Sequence, residues 1–259
     1  MVTATFRFYE ELNDFLPAER RRQEFAALCA ESATTKHMIE ALGVPHTEVE
    51  LILVNGESVG FDHRLRDGDR VAVYPKFEAL DITPLLRVRE LPLRNPRFVA
   101  DAHLGALARL LRMAGFDTLY DNLYQDREIA DTAGRDGRIV LTRDRELLKL
   151  RSITHGCYVR AIEPVQQLRE IMDRLDLARS ARPFSLCLVC NASLRPIDKA
   201  AVLERLPPSV RDGHEHFTTC DVCRRIFWKG SHWRRMQSVL DGSLQAVATD
   251  FCRSCGDGQ

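Results

Sequence analysis

The 259-residue sequence predicts an α/β chain in three parts: a small unit of strands around one helix, a central parallel sheet with helices on both faces, and a cysteine-bound ribbon. Three observations predict it. Alternating apolar runs separated by Asn-Gly and Asp-Gly turns fill residues 1–80. Strand-like runs then alternate with amphipathic helices over 97–178. Two C-x-x-C pairs follow, Cys187/Cys190 and Cys220/Cys223, in a spacing that suits one metal ion.

In the first part, TATFRFY alternates and reads as a strand. TTKHMIEALG reads as a helix that Gly43 ends, with Thr34 or Thr35 as its cap. EVELILVNGESV is a strand entering an Asn-Gly turn, and LRDGDRVAVYP holds an Asp-Gly turn and a strand that stops at Pro75. This order suggests a β-grasp unit over 1–80. Residues 81–96 carry Pro84, Pro92 and Pro96 and read as a linker.

The second part, 97–178, begins with the strand RFVAD. The helix HLGALARLLRMAG follows, with Leu104, Leu107, Ala108, Leu111 and Ala114 on one stripe and Arg109 and Arg112 off it; Gly115 ends it. DTLY is a strand, DREIADTAG a helix, RIVLT a strand and RELLKL a short helix. CYVRAI is the fourth strand, and EPVQQLREIMDRLDLA is the last helix, with Pro164 in its first turn. Four β-α units in so short a segment imply a small parallel sheet, whose chemistry belongs at the carboxyl ends of its strands.

Asp101 ends RFVAD and Asp144 ends RIVLTRD. Each has two readings. It caps the following helix, or it joins an acidic set that holds Mg²⁺ or Mn²⁺, which prefer oxygen ligands. Asp126 opens the next helix as a third carboxylate, with Asp121 and Glu128 as competitors. Such an ion polarises a phosphodiester and activates water. Arg143 and Arg145 flank Asp144 and can meet phosphates; solvated charge is the other reading, above all for Arg145.

In the third part, 179–259, each C-x-x-C pair presents two thiolates from one turn, so Cys187, Cys190, Cys220 and Cys223 complete a structural Zn²⁺ tetrahedron. Cys252 and Cys255 form another pair near the end; no ligation is the default, with a weak zinc site helped by His214 or His216, or a redox pair, as alternatives. Cys29 and Cys157 read as small core residues. RRIFWKGSHWRRM mixes Arg224, Arg225, Lys229, Arg234 and Arg235 with Phe227, Trp228 and Trp233. Cations attract phosphates and aromatic faces stack on single-stranded bases. The alternative is that the tryptophans form the ribbon's core.

Net charge is zero but uneven: residues 1–80 carry −5 (9 basic, 14 acidic) and residues 179–259 carry +4 (12 basic, 8 acidic). A polyanion is drawn most to the last part and least to the first. No apolar run approaches a membrane span, and MVTATFRFYEELNDF has no signal-peptide pattern, which leads us to expect a cytoplasmic protein with no membrane partner.

FVADAHLGALARLLRMAGFDTLYDN, DREIADTA and RIVLTRDREL, followed by CLVCN and CDVCRRIFWKGSHWRRM, resemble the Mut-seven C-terminal ribonuclease family, a PIN-like branch of metal-dependent nucleases. The resemblance covers roughly 95–235. It implies a PIN-like α/β domain, a C-terminal zinc ribbon, and Asp101, Asp126 and Asp144 as the catalytic acidic set on Mg²⁺ or Mn²⁺. Residues 1–80 resemble the ubiquitin-like unit often fused in front of it, and LVNGESV and LRDGDRVAVYP resemble ubiquitin-like sulfur carriers. Those carriers end in a diglycine; here the chain reads PKFEALDI and continues, so the unit is expected to engage a protein partner rather than carry sulfur. The expected function is ribonuclease, with Arg143, Arg224, Arg225, Trp228, Lys229, Trp233, Arg234 and Arg235 on RNA. The rival is an RNA- or ribosome-binding adaptor with a degenerate site.

Overall fold

The computed structural model describes residues 1–75, 96–231 and 233–240. The first stretch holds β1 (Val2–Phe8), β2 (Phe25–Cys29), α1 (Thr35–Ala41), β3 (Leu51–Val54), β4 (Glu57–Val59) and β5 (Arg70–Tyr74). Next come β6 (Phe98–Ala100), α2 (Gly105–Ala114), β7 (Thr118–Tyr120), α3 (Asp126–Asp136), β8 (Ile139–Thr142), α4 (Arg145–Leu148), β9 (Gly156–Tyr158) and α5 (Pro164–Arg174). The last are β10 (Leu194–Ile197), α6 (Lys199–Val202), α7 (Pro208–Arg211), β11 (Phe217–Cys220) and β12 (Ile226–Trp228), with a helical stretch over 233–240. All but Pro96 of the expected linker, together with His232, Cys252 and Cys255, lie outside the described residues. No helix among the described residues is long and apolar enough to cross a membrane.

Two compact units divide these elements. One takes in residues 1–75 and 126–158, the other 96–125 and 159–240. In the first, the sheet runs β2-β1-β5-β3-β4, with β1 and β5 parallel and the other pairs antiparallel. This is the β-grasp arrangement. The alternation in β1 buries Ala4, Phe6 and Phe8 and leaves Thr5 and Arg7 on the other face. Thr34 caps α1, its hydroxyl accepting from the His37 N–H at 3.2 Å. Asn55 and Gly56 both take positive φ between β3 and β4, as a tight hairpin turn requires.

The same unit includes β8 and β9, paired in parallel with α4 between them. Three ties hold them to the β-grasp segment. The buried Glu48 carboxylate accepts from the Tyr158 N–H at 2.6 Å. Buried His46 places Nδ1 2.7 Å from Glu40 and Nε2 2.9 Å from the Ile153 carbonyl. Tyr158 packs against the core built around Phe6, Phe8 and Ile52.

In the second unit β6 and β7 are parallel, joined by α2. The expected stripe of Leu104, Leu107, Ala108, Leu111 and Ala114 is buried, and α2 packs on α5. Gly115 ends α2 at φ +93°, and a side chain there would strike the Arg182 backbone. β10, β11 and β12 form an antiparallel ribbon over a small core of Val202, Leu206, Val210 and Phe217.

Candidate metal centre and nucleic-acid surface

The ribbon strands bring the two C-x-x-C turns face to face. The sulfurs of Cys187, Cys190, Cys220 and Cys223 all lie within 4.8 Å of one another. Cys187 and Cys223 are 3.5 Å apart, and Cys190 and Cys220 are 3.3 Å apart. Among the described residues this is the group of His, Cys, Asp and Glu able to hold a metal ion. Four soft donors in a closed set fit a structural metal. Without the metal, burial pushes the Cys187 thiol up to about 12, helped by its side-chain hydrogen bonds with Cys223 and Cys190. At Cys220 burial also raises the thiol, but hydrogen bonds from the Cys223 and Val222 N–H groups and from Cys190 outweigh it and bring it down to about 7.

The two turns share one backbone design. The N–H of the residue after the second cysteine returns to the first: Asn191 to the Cys187 carbonyl at 3.0 Å, Arg224 to the Cys220 carbonyl at 2.9 Å. Both residues take positive φ, +65° and +59°. The first cysteine then donates its own N–H onward, Cys187 to Ala192 and Cys220 to Arg225. Asn tolerates the left-handed conformation better than Arg does.

The first turn is tied to the parallel pair in the same unit. Arg112 was read from the sequence as lying off the buried stripe; it is 4% exposed. Its guanidinium donates to the carbonyls of Thr118 at 2.9 Å, Val189 at 2.8 Å and Leu188 at 3.3 Å. Burial pulls it below its ordinary value, opposed by the charge of Cys187, Cys190 and Asp117. Asn191 accepts from the Thr118 N–H at 3.0 Å.

The aspartates take different positions. Asp101 follows β6, is 9% exposed, and makes no side-chain cap bond to the 3-10 turn Ala102–Leu104. Asp144 caps α4, accepting from the Glu146 N–H at 2.8 Å. Asp126 opens α3 and is exposed, as is Glu128. Asp121 accepts from the Leu123 N–H at 2.9 Å, which commits it to a turn. The helix-cap reading therefore describes the Asp144 side chain and not that of Asp101. Arg143 is exposed. Arg145 is not a solvated charge: it donates to the carbonyls of Phe15 and Asp14 and lies over the rings of Phe15 and Tyr158, at 5.0 and 5.6 Å.

The tryptophans divide their faces. Trp228 packs against the ribbon core. Trp233 meets Phe184 at 5.0 Å between ring centroids, and the Lys229 ammonium lies 5.2 Å from its centre. Arg225, Arg234 and Lys229 stand at or near the surface, with Arg224 and Arg235 beside them.

The Mut7-C RNAse domain model matches residues 96–240, and the Mut7-C ubiquitin model matches residues 1–81. Over 168 residues, 61% of the chain, the sequence is 27% identical to the human exonuclease mut-7 homolog, of which it spans 17% of the length. Two crystal structures of small archaeal modifier protein 1 from Haloferax volcanii are similar at 17% identity, covering 30% of this chain and 100% and 99% of their own, with TM-scores of 0.25 and 0.24. With the ribonuclease model matching more than half of its length, this chain belongs to the Mut7-C RNAse domain family.

Proposed function

We propose that the chain is a ribonuclease that hydrolyses RNA phosphodiester bonds with Mg²⁺ or Mn²⁺ held by Asp101, Asp126 and Asp144. The observation that carries this reading, within a family described as an RNAse domain, is Asp101: a buried carboxylate delivered by a parallel strand, with no helix-capping bond from its side chain. The donor set is all carboxylate oxygen, which suits a hard ion. A bound ion would polarise the phosphate and lower the pKa of an attacking water. Arg143, exposed beside Asp144, would meet a phosphate. The ribbon's four cysteines take Zn²⁺ as a structural ion, and Arg224, Arg225, Lys229, Arg234 and Arg235, with Trp228 and Trp233, hold RNA. The relative's printed name, exonuclease, makes end-directed cleavage the polarity to test first.

On this reading 1–80 is the ubiquitin-like domain, 81–96 a linker, 97–178 the nuclease domain and 179–259 the ribbon with its tail. The protein works in the cytoplasm, and its ubiquitin-like domain also meets a protein partner. The second reading is an RNA- or ribosome-binding adaptor. It is favoured by the commitment of the Asp144 carboxylate to capping α4.

The test is cleavage of end-labelled RNA with and without Mn²⁺, by wild type, Asp101→Asn and Asp144→Asn. Asn is as good a helix cap as Asp, so Asp144→Asn keeps α4 while removing the charge. Loss of cleavage in a folded variant supports the ribonuclease. Full cleavage by Asp144→Asn, or cleavage independent of metal, overturns the mechanism. No cleavage by wild type with any divalent ion favours the adaptor.

A further inference from the structure

The ribbon contains a cavity of about 760 Å³. Its apolar walls include Phe184, Trp228 and Trp233. Its polar lining includes Lys199, Glu215 and His216. The volume lies within the range of small-ligand pockets, far too small for a duplex and wide enough for one nucleotide. We infer that this cavity takes a single unpaired base of single-stranded RNA, stacked on the tryptophan side and met at its edge by the Lys199–Glu215 pair. The inference rests on the RNA-directed reading above and adds to it a defined base pocket.

Three observations converge on that occupant. The first is the aromatic wall. Trp233 is steadied by Phe184, and Trp228 is steadied by the ribbon core, so both rings are held before any ligand arrives. Gly230 belongs to the same arrangement: a side chain there would come within 2.9 Å of the Trp228 ring nitrogen. Rings fixed in advance cost little entropy to stack upon.

The second is the edge. Lys199 and Glu215 are 2.6 Å apart, which sets a donor beside an acceptor. The Lys199 ammonium holds the Glu215 carboxyl below its ordinary value, so this acceptor is ionised at neutral pH. Every RNA base presents a neighbouring donor and acceptor on its Watson–Crick edge, which is free only when the base is unpaired.

The third is charge. The segment 179–259 carries +4 overall, Lys229 lines the pocket, and Arg224 and Arg225 shortly precede the lining residues Phe227 and Trp228 in sequence. A strand whose base enters the pocket brings its phosphates to a basic surface.

The chain's two tryptophans both line this cavity, so their emission reports on it alone. The experiment uses the full-length Asp144→Asn chain, oligoadenylate, oligouridylate and a blunt RNA duplex at one ionic strength. Oligoadenylate should quench the emission to saturation, oligouridylate less tightly because its base stacks more weakly, and the duplex not at all. With labelled oligoadenylate titrated at several salt concentrations, anisotropy should show Trp233→Ala binding roughly ten-fold more weakly, the order expected for one lost stack, with an unchanged salt slope because no phosphate contact is removed. Glu215→Gln, at an exposed position, should weaken binding in a chain that folds as wild type, so the result does not hang on Trp233→Ala folding. Binding of RNA without quenching overturns the pocket. So does oligoadenylate affinity that neither Trp233→Ala nor Glu215→Gln changes. Quenching in Asp144→Asn, together with no RNA cleavage by wild type under any divalent ion, defeats the ribonuclease reading and leaves the pocket standing; cleavage by wild type without quenching in Asp144→Asn does the reverse.

Discussion

The Asn191 side chain donates from Nδ2 to the Asp117 carboxylate at 2.6 Å, fastening the first cysteine turn to the start of β7. Its oxygen accepts from the Thr118 N–H, whose residue is fully buried. One amide therefore serves a left-handed backbone, a carboxylate and a buried donor. Asn191→Gly keeps the backbone conformation and loses both side-chain bonds. We expect it to retain its metal but lose about 1–3 kcal/mol of stability, the cost of an unsatisfied buried N–H. Asn191→Ala, which adds strain at positive φ, should lose more. Thermal unfolding with metal analysis checks both, and equal stability of Asn191→Ala and wild type would contradict this account.

Arg112 is the second tie, and its planar fork reaches three carbonyls from one position. Lysine keeps the charge without the fork. Arg112→Lys should cost about 2 kcal/mol and speed loss of metal to a chelator. Chelator competition followed over time measures the second effect; an unaltered rate would show that the strut does not support the turn.

Freshly purified protein should carry one zinc per chain. Ligation of Zn²⁺ by such sites is worth about 10–16 kcal/mol in isolated peptides, so it is folding energy for a ribbon with a small core. Cys220→Ser should therefore unfold the ribbon while leaving the β-grasp segment folded, as amide exchange would report. Replacing Cys252 and Cys255 should leave the zinc count unchanged. Zinc-free protein on elemental analysis would refute the site.

Arg224, Arg225, Arg234 and Arg235 should position RNA rather than cleave it. Replacing all four with Ala should weaken binding and flatten its salt dependence, because fewer counterions are released. Cleavage at saturating RNA should survive. An unchanged salt slope would move the search to Arg109 and Arg143, both exposed.

Glu48 and His46 should govern β9. Glu48→Ala removes the acceptor of the Tyr158 N–H, whereas Glu48→Gln keeps one. Amide exchange at Tyr158 should rise at least ten-fold in the first and change little in the second. The His46 ring faces two acceptors, the Glu40 carboxylate and the Ile153 carbonyl, so His46→Ala should loosen the segment before β9 as well. Equal exchange in Glu48→Ala and Glu48→Gln would show that the bond does not hold the strand.

What the sequence disclosed follows the reach of each interaction. The cysteine centre was legible because each turn is local and only two turns had to meet. Thr34, Gly115 and Pro164 were legible for the same reason: caps, stops and first-turn prolines act within a few residues. Asp144 left two readings because a strand-end carboxylate and a helix cap look alike in one dimension. Arg112 was misread because its partners Leu188 and Val189 lie 76 and 77 positions away. Asn191 carried a usable signal, an Asn directly after C-x-x-C, where a left-handed residue is tolerated. Arg224 in the matching place carried none. The bond from Tyr158 to Glu48 spans 110 positions, and nothing local to either residue announces it.

That last bond changes what the N-terminal segment can be for an engineer. Ubiquitin-like sequences invite removal as tags. Here Glu48, His46 and the ring of Phe15 form the seat on which Tyr158, Ile153 and Arg145 rest. A truncation at residue 80 would not release the remainder of the chain intact. It would leave β9 with a bare backbone donor and Tyr158 facing water, a surface that invites misfolding and capture by chaperones. Deletion variants that lose activity would then say nothing about partner recruitment, and the segment's outer face has to be probed by point substitution in the whole chain.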